Sequence, residues 1–344
     1  MSGDTAERHI LVFIGPYPDD AIGENFIKLP FLRALSHAFP GHKITWVHGH
    51  GATLFAGILE PVARGLIAEF LPATILGHGW ASALSPWRLL PDRHFDVIID
   101  TQKNPVYTLM LRRISHDVLI SPSWRYFFSS HRPNKNQPKP RSLAEKLLAL
   151  LALATGEMAK PGHIAVLPDE YRTAADSILP RTSKHEPVYI GLAPGAGRMD
   201  TGKCWPLENY LTVADKQLAC GRTPVFFLGP LEQEWRNHIE TAVPGALFAP
   251  LEWREDSGTI LNGPTLTVAL ASHLSASVAN CSGTGHMLAA GGSKIVSLFG
   301  PTDPGKFAPY TPDLLAIRAQ DFGKDAMDAI PVQAVLDAID SSLA

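Results

Sequence analysis

Near its C-terminal end the chain reads Ser277-Val-Ala-Asn-Cys-Ser-Gly-Thr-Gly-His286, then Met-Leu-Ala-Ala-Gly-Gly, then Lys294-Ile-Val-Ser-Leu-Phe-Gly-Pro-Thr-Asp-Pro304. An apolar strand runs into a turn of small residues that opens a helix. Such a helix start presents unpaired N–H groups and partial positive charge, which together favour a phosphate. The same pattern also serves an ordinary strand-to-helix turn, and both readings stand on the residues alone. A second chemical candidate lies upstream, in Gly195-Ala-Gly-Arg-Met-Asp-Thr-Gly-Lys203-Cys-Trp-Pro206. This loop follows an apolar strand and ends at a helix start. In a doubly wound domain, that places Lys203 at the carboxyl ends of the strands, where ligands bind. A lysine there can offset charge on a leaving diphosphate, or simply be solvated. No Asp-x-Asp pair is present to hold a metal, so backbone N–H groups and a cation would have to neutralise a diphosphate.

The elements that must position these residues alternate in type. Ile10–Gly15, Lys43–His48, Phe95–Asp100 and Val118–Ser121 read as strands of the first half. Helices read from Ile27 to Phe39, with Pro30 in the first turns, and over 106–114. Ser142-Leu-Ala-Glu145 is a capping box opening an apolar helix over 146–154, which reads as a buried helix or as a membrane-surface contact. After a linker at Lys160–His163 a helix runs from Leu167 to about Leu179. The second half continues with strands Val188–Ala193, Pro224–Gly229 and 246–248, and helices Pro206–Ala219, Glu232–Ala242 and Thr265–His273. A final helix over 332–343 either closes the second half or packs back on the first. The expectation is an α/β chain with parallel sheets in two domains, residues 1–165 and 166–344.

Composition narrows the function classes. The 344 residues are too many for one ordinary core. A net charge of -3 gives no basic field for nucleic acid. Cys204, Cys220 and Cys281 have no metal-ligand spacing and fit a reducing cytoplasm. The polar N-terminus does not read as a signal peptide, and no apolar run approaches the ~20 residues that span a bilayer. Gly15 and Gly23 lack dinucleotide-fingerprint spacing. Neither a phosphate-loop Gly-Lys-Ser/Thr nor a Gly-x-Ser-x-Gly elbow occurs. Residues 129–141, Ser-Ser-His-Arg-Pro-Asn-Lys-Asn-Gln-Pro-Lys-Pro-Arg, form a basic loop almost without apolar groups.

Several motifs occur together in order: Ile22-Gly-Glu-Asn, Leu29-Pro-x-Leu-Arg-Ala-Leu35, Phe95-Asp-Val-Ile-Ile-Asp-x-Gln102, Pro194-Gly-Ala, Lys203-x-Trp-Pro206, Asn280-x-Ser-Gly-x-x-His286 and Phe299-Gly-Pro-Thr-Asp-Pro304. In that combination the chain resembles glycosyltransferase family 9, the ADP-heptose:lipopolysaccharide heptosyltransferases, over nearly its whole length. The resemblance implies a GT-B architecture, two Rossmann-like parallel-sheet domains facing across a cleft. The first domain would hold the acceptor and the second a nucleoside-diphosphate sugar. It further implies inverting transfer with no metal or other cofactor. The acceptor would be lipopolysaccharide core or another bacterial surface glycan, free or lipid-linked, reached in the cytoplasm with peripheral contact to the inner face of the membrane. A catalytically weak nucleotide-sugar binder and a sugar-nucleotide epimerase are the rival readings.

Residue by residue, the resemblance places Glu24 where the family has its aspartate base. One more methylene lengthens its reach by roughly 1.5 Å, and Asp20 is the fallback. Lys203 matches the diphosphate lysine and Glu232 a glutamate that binds ribose hydroxyls. Ser282, Gly283 and Thr284 fall on the diphosphate turn, with His286 one turn into the helix. Arg198 stands near a position where the family often meets phosphates with Ser or Thr. On the acceptor side stand Gln102, Arg132 and Lys135, and Lys139 and Arg141 extend the basic set. Thr302 and Asp303 are expected after the last strand of the donor sheet, either beside the ligand or capping a turn. Two departures bear on specificity. Pro18 replaces an early basic residue, and Cys281 replaces the aspartate that helps hold the sugar. A cysteine at a helix start either has a lowered pKa or is a small packing residue.

Overall fold

The computed structural model describes residues 7–18, 21–134, 136, 138–158, 162, 164–181, 187–197, 202–254 and 258–344. Asp20, Lys135 and Arg198 lie outside these residues, as does most of the Lys160–His163 linker. Contacts divide the chain into two units. One comprises Met1–Asp20 and Lys28–Gly162, the other Ala21–Ile27 and His163–Ala344.

The first unit is built on a sheet of β1 (His9–Phe13), β2 (Lys43–His48), β3 (Glu69–Pro72), β4 (His94–Asp100) and β5 (Ser115–Ile120), in the order β3-β2-β1-β4-β5. All its pairings are parallel. Apolar runs such as Ile10-Leu-Val-Phe13 and Val97-Ile-Ile99 are buried on both faces, as a helix-covered parallel sheet requires. The second unit repeats the plan. Its strands are β6 (Tyr189–Ala193), β7 (Thr223–Phe226), β8 (Leu247–Phe248), β9 (Glu252–Arg254), β10 (Ile260–Asn262), β11 (Leu274–Asn280), β12 (Ile295–Phe299) and β13 (Leu314–Arg318). Six of them form a parallel sheet, β13-β12-β11-β6-β7-β8, while β9 and β10 pair as a separate antiparallel ribbon.

In each sheet the strand order reverses beside the first strand, between β1 and β4 and between β6 and β11. Ligands of open α/β sheets bind outside the carboxyl ends of the strands at such switch points. The final helix, Val332–Leu343, belongs to the second unit: Val335 and Ile339 join the core around Trp205, Tyr210 and Phe226.

Two local readings change. The first helix begins at Ile22 and runs to Ala38, so Pro30 sits in its interior. It leaves out one backbone hydrogen bond there. Helix Leu143–Thr155 carries the expected capping box, and Leu147, Leu148, Leu150 and Leu151 are buried. Its apolar face therefore serves the core of the first unit, and the membrane-contact reading of this helix falls. Beyond β5, Trp124, Arg125 and Tyr126 all take left-handed φ, at 44°, 56° and 65°. Each such residue costs about 1–2 kcal/mol in a non-glycine.

Candidate functional site

The second unit gathers its chemistry at the β6/β11 switch point. Asn280, the last residue of β11, is fully buried. Its Nδ2 donates to the Pro194 carbonyl just after β6, at 2.7 Å. Its Oδ1 accepts from the Trp205 backbone N–H at 3.1 Å. One carboxamide thus ties the loop carrying Lys203 to the turn at 281–284. Trp205 is anchored further by its indole N–H, which donates to Ile330 O at 3.0 Å, and by its edge contact with the Tyr210 ring. The sequence marks Asn280 only as part of a motif. This crossing role joins positions 75 and 86 residues apart and has no local signature.

The helix that follows, Gly283–Ala290, has Ser282 as its N-cap with extended backbone (φ -146°, ψ 169°). Ser282 makes no side-chain cap bond, and its buried Oγ has no hydrogen-bond partner. The Thr302 side chain beyond β12 lies beside the Cys281 thiol. Asp303 is occupied by capping: its Oδ1 accepts from Gly305 N–H at 2.9 Å. Ser282 and Thr284 therefore stand at a helix start whose donors no side-chain cap has taken. Within this unit, Gly23 lies against Gly283. A Cβ on Gly23 would come 3.0 Å from the Gly283 Cα and 3.6 Å from His286 Cδ2. Glu24, exposed in the first turn of its helix, is thus one residue from a backbone packed on the turn.

Glu232 lies in the first turn of a short 3-10 helix, Pro230–Trp235, after β7. Only 3% of it is exposed. Its carboxylate sits between Gly195 and Gly229, where a Cβ on either glycine would collide with it. A carboxylate held there can accept from two hydroxyls of a ligand. Cys204 is its neighbour: burial pushes that thiol's pKa up, and the Glu232 charge adds to the rise.

Electrostatics settle two residues. Burial also pushes the Cys281 thiol up, outweighing the downward pull of Thr302 and of the Lys203 charge. The Cys281 thiol is thus neutral at pH 7, and the lowered pKa conceivable at a helix start does not arise. His286 is 8% exposed, and burial lowers its pKa from 6.5 to about 4. It is neutral at pH 7 and can offer an N–H but no charge. Lys203 is then the candidate cation placed beside the turn among the described residues. The ribbon of β9 and β10 occupies the long segment after Pro250, with Asn262 capping the helix Gly263–Ala271 through its Oδ1 and Thr265 N–H.

The first unit uses its own switch point differently. Gln102 Nε2 donates to Ile14 O at 2.7 Å and to Thr101 Oγ1 at 3.0 Å. Gly15, at φ +123°, leaves room for that side chain. The amide nitrogen is therefore a strut between β1 and β4. Behind it, the fully buried Asp100 accepts from Thr108 Oγ1 (2.6 Å), Ser121 Oγ (2.9 Å) and Gln102 N–H (2.9 Å). Burial still raises its pKa to about 6, against the pull of those hydrogen bonds. Arg132 is exposed, donating to Phe127 O at 3.1 Å.

The glycosyltransferase family 9 (heptosyltransferase) model matches residues 84–328, well over half of the chain. No curated protein matches it in sequence. Among solved structures, the family 9 glycosyltransferase from Veillonella parvula superposes with a TM-score of 0.69 at 19% identity, covering 98% of this chain and 97% of that one. Escherichia coli ADP-heptose heptosyltransferase II gives 0.64 at 19% identity, covering 97% and 98%. Escherichia coli heptosyltransferase WaaC, solved with ADP, gives 0.63 at 18% identity, covering 97% and 99%. At these identities the likeness establishes a shared fold, the two-domain parallel-sheet GT-B type. The family match establishes more: the chain belongs to glycosyltransferase family 9 and is a glycosyltransferase.

Proposed function

We propose that this enzyme is an inverting, metal-independent transferase acting in the cytoplasm. It moves a heptose or related sugar from a nucleoside-diphosphate donor, with ADP-heptose favoured, to lipopolysaccharide core or another bacterial surface glycan. The observation that carries the reading is the uncapped helix start at Ser282, with its orphaned hydroxyl, tied through Asn280 to the loop of Lys203. Two phosphates would take the free N–H groups, the Ser282 and Thr284 hydroxyls and the Lys203 ammonium. The ribose hydroxyls would donate to the Glu232 carboxylate, and Arg198 would add charge at the phosphates. Neutral His286 would offer an N–H, and Cys281 would face the sugar. That WaaC was solved with ADP supports adenine as the base.

In the reaction Glu24 removes the acceptor hydroxyl proton. The oxygen attacks the anomeric carbon, the bond to the diphosphate breaks on the opposite face, and the configuration inverts. Lys203 and the helix start take the charge that develops on the leaving group. Asp20 is the alternative base, and Gln102, Arg132 and Lys135 are the acceptor-side candidates. The test is transfer to a deacylated core acceptor from ADP-heptose and from GDP-, UDP- and dTDP-sugars. ADP-heptose should be used best, and Cys281→Asp should keep or improve its use. If another nucleotide sugar is the sole donor and Cys281→Asp abolishes transfer, the heptose reading is wrong.

A further inference from the structure

In the first unit, Trp87, Trp124 and Phe127 are 77%, 55% and 61% exposed. Their backbones are held although their rings are not covered. The Trp87 carbonyl accepts from Arg113 Nε at 2.8 Å, and Leu89 N–H donates back to Arg113 O at 3.2 Å. The left-handed run at 124–126 fixes the other loop, closed by Phe127 N–H to Trp124 O and Ser130 N–H to Leu119 O. Arg112 joins the two loops. It lines a cavity of roughly 290 Å3 together with Trp87, Arg88 and His116, and its guanidinium lies 4.9 Å over the Phe128 ring. Phe128 in turn packs on Trp124 and Phe127, with ring centroids 5.2 Å and 5.0 Å away. The result is exposed rings and arginines on two loops joined through Arg112. No acid occurs from Val118 to Ala144, although the whole chain is net negative.

We propose that this face docks on an anionic phospholipid surface. Exposed tryptophan and phenylalanine rings suit the headgroup level of a bilayer, and guanidinium groups pair with headgroup phosphates. Stacking on a sugar fits less well. The Phe128 and Phe127 rings already carry Arg112 and Arg132, the latter at 6.0 Å, and Trp124 is packed on Phe128. The proposal is independent of which donor the enzyme uses. It also relocates membrane contact from helix Leu143–Thr155, whose leucines are buried, to the loops at 84–88 and 124–132.

The test is sedimentation of the full chain with phosphatidylcholine vesicles, pure or containing about one third phosphatidylglycerol. Wild type should bind the anionic vesicles, not the neutral ones, and release as salt rises. Neutralising each arginine should weaken binding about fivefold, so the pair Arg88→Gln and Arg125→Gln should lose more than tenfold. Trp87→Ser with Phe127→Ser should lose binding too, and should lose fluorescence quenching by brominated lipid. The melting temperature controls for folding. Should the serine variant unfold, the arginine variant still decides, because both guanidinium groups are exposed. Equal binding to both vesicle types overturns the proposal, as does unchanged binding by folded variants. So does a patch that binds soluble phosphorylated glycan but no vesicle, since that face would then seat the acceptor.

Discussion

The two switch points are built alike and finished differently. In both, a carboxamide crosses from the later strand to a carbonyl just past the first: Gln102 to Ile14 and Asn280 to Pro194, each at 2.7 Å. In the first unit the polar groups around that strut satisfy one another, with Asp100 accepting from Thr108, Ser121 and the Gln102 backbone. In the second unit they stay open. Ser282 has a buried hydroxyl without a partner, and Glu232, 3% exposed, holds its carboxylate against Gly195 and Gly229. Each such unmet group costs about 1–3 kcal/mol unless a ligand meets it. The same Rossmann-like plan therefore carries a satisfied polar core in one unit and, in the other, the groups proposed to meet a diphosphate and a ribose.

The sharpest break in that comparison concerns turnover. Glu24→Gln should lower kcat by about 10²–10⁴ while donor binding stays intact. Equal losses in donor affinity would remove Glu24 from the role of base. Lys203→Ala should cost about 10²–10³ in kcat/KM, with donor KM rising as well, because its charge meets the diphosphate before and during cleavage. Steady-state kinetics on both variants decide these points, and unchanged kinetics for Lys203→Ala would detach the loop from the site.

Stability against pH should separate the units next, because burial acts on them with opposite sign. Asp100 titrates at about 6 folded against 3.8 normally. Its contribution is fully present below pH 3.8 and is lost as pH rises through 6, on the order of 3 kcal/mol. His286 titrates at about 4 folded against 6.5. Its contribution is fully present above pH 6.5 and is lost as pH falls through 4, by a similar amount. Between pH 4 and 6 the two contributions oppose each other, so Asp100→Asn should leave the unfolding free energy rising with pH, and His286→Gln should leave it falling. Denaturant melts across that range test both. The smallest effects come from paired hydroxyl deletions. Ser121→Ala, which breaks a satisfied network, should cost about 1–3 kcal/mol and leave donor KM alone. Ser282→Ala should change stability by less than about 0.5 kcal/mol yet raise donor KM about fivefold.

Much of this architecture is legible in the residues. Doubly buried strands write themselves as apolar runs, and the Ser142 capping box marks its helix. Two of the four edge strands are not legible: Glu69–Pro72 and Leu314–Arg318 are half-covered or exposed and show no clean alternation. Pro30 misplaces the first helix start, since a proline reads most readily as a first-turn residue, whereas this helix carries it inside. At the site, Lys203, Glu232 and the turn at 282–284 are visible as residue types in order. The Asn280 crossing is invisible because it is tertiary. The neutrality of Cys281 and His286 is invisible because burial, not sequence position, sets their pKa values.

The proposed site in the second unit holds a nucleoside diphosphate, with Glu232 on its ribose. Calorimetric titration of ADP into wild type and into Glu232→Ala tests it most directly. Wild type should bind, and the variant should bind at least tenfold more weakly with its fold retained. ADP binding equally well to both proteins, or no nucleoside diphosphate binding to wild type, would contradict it.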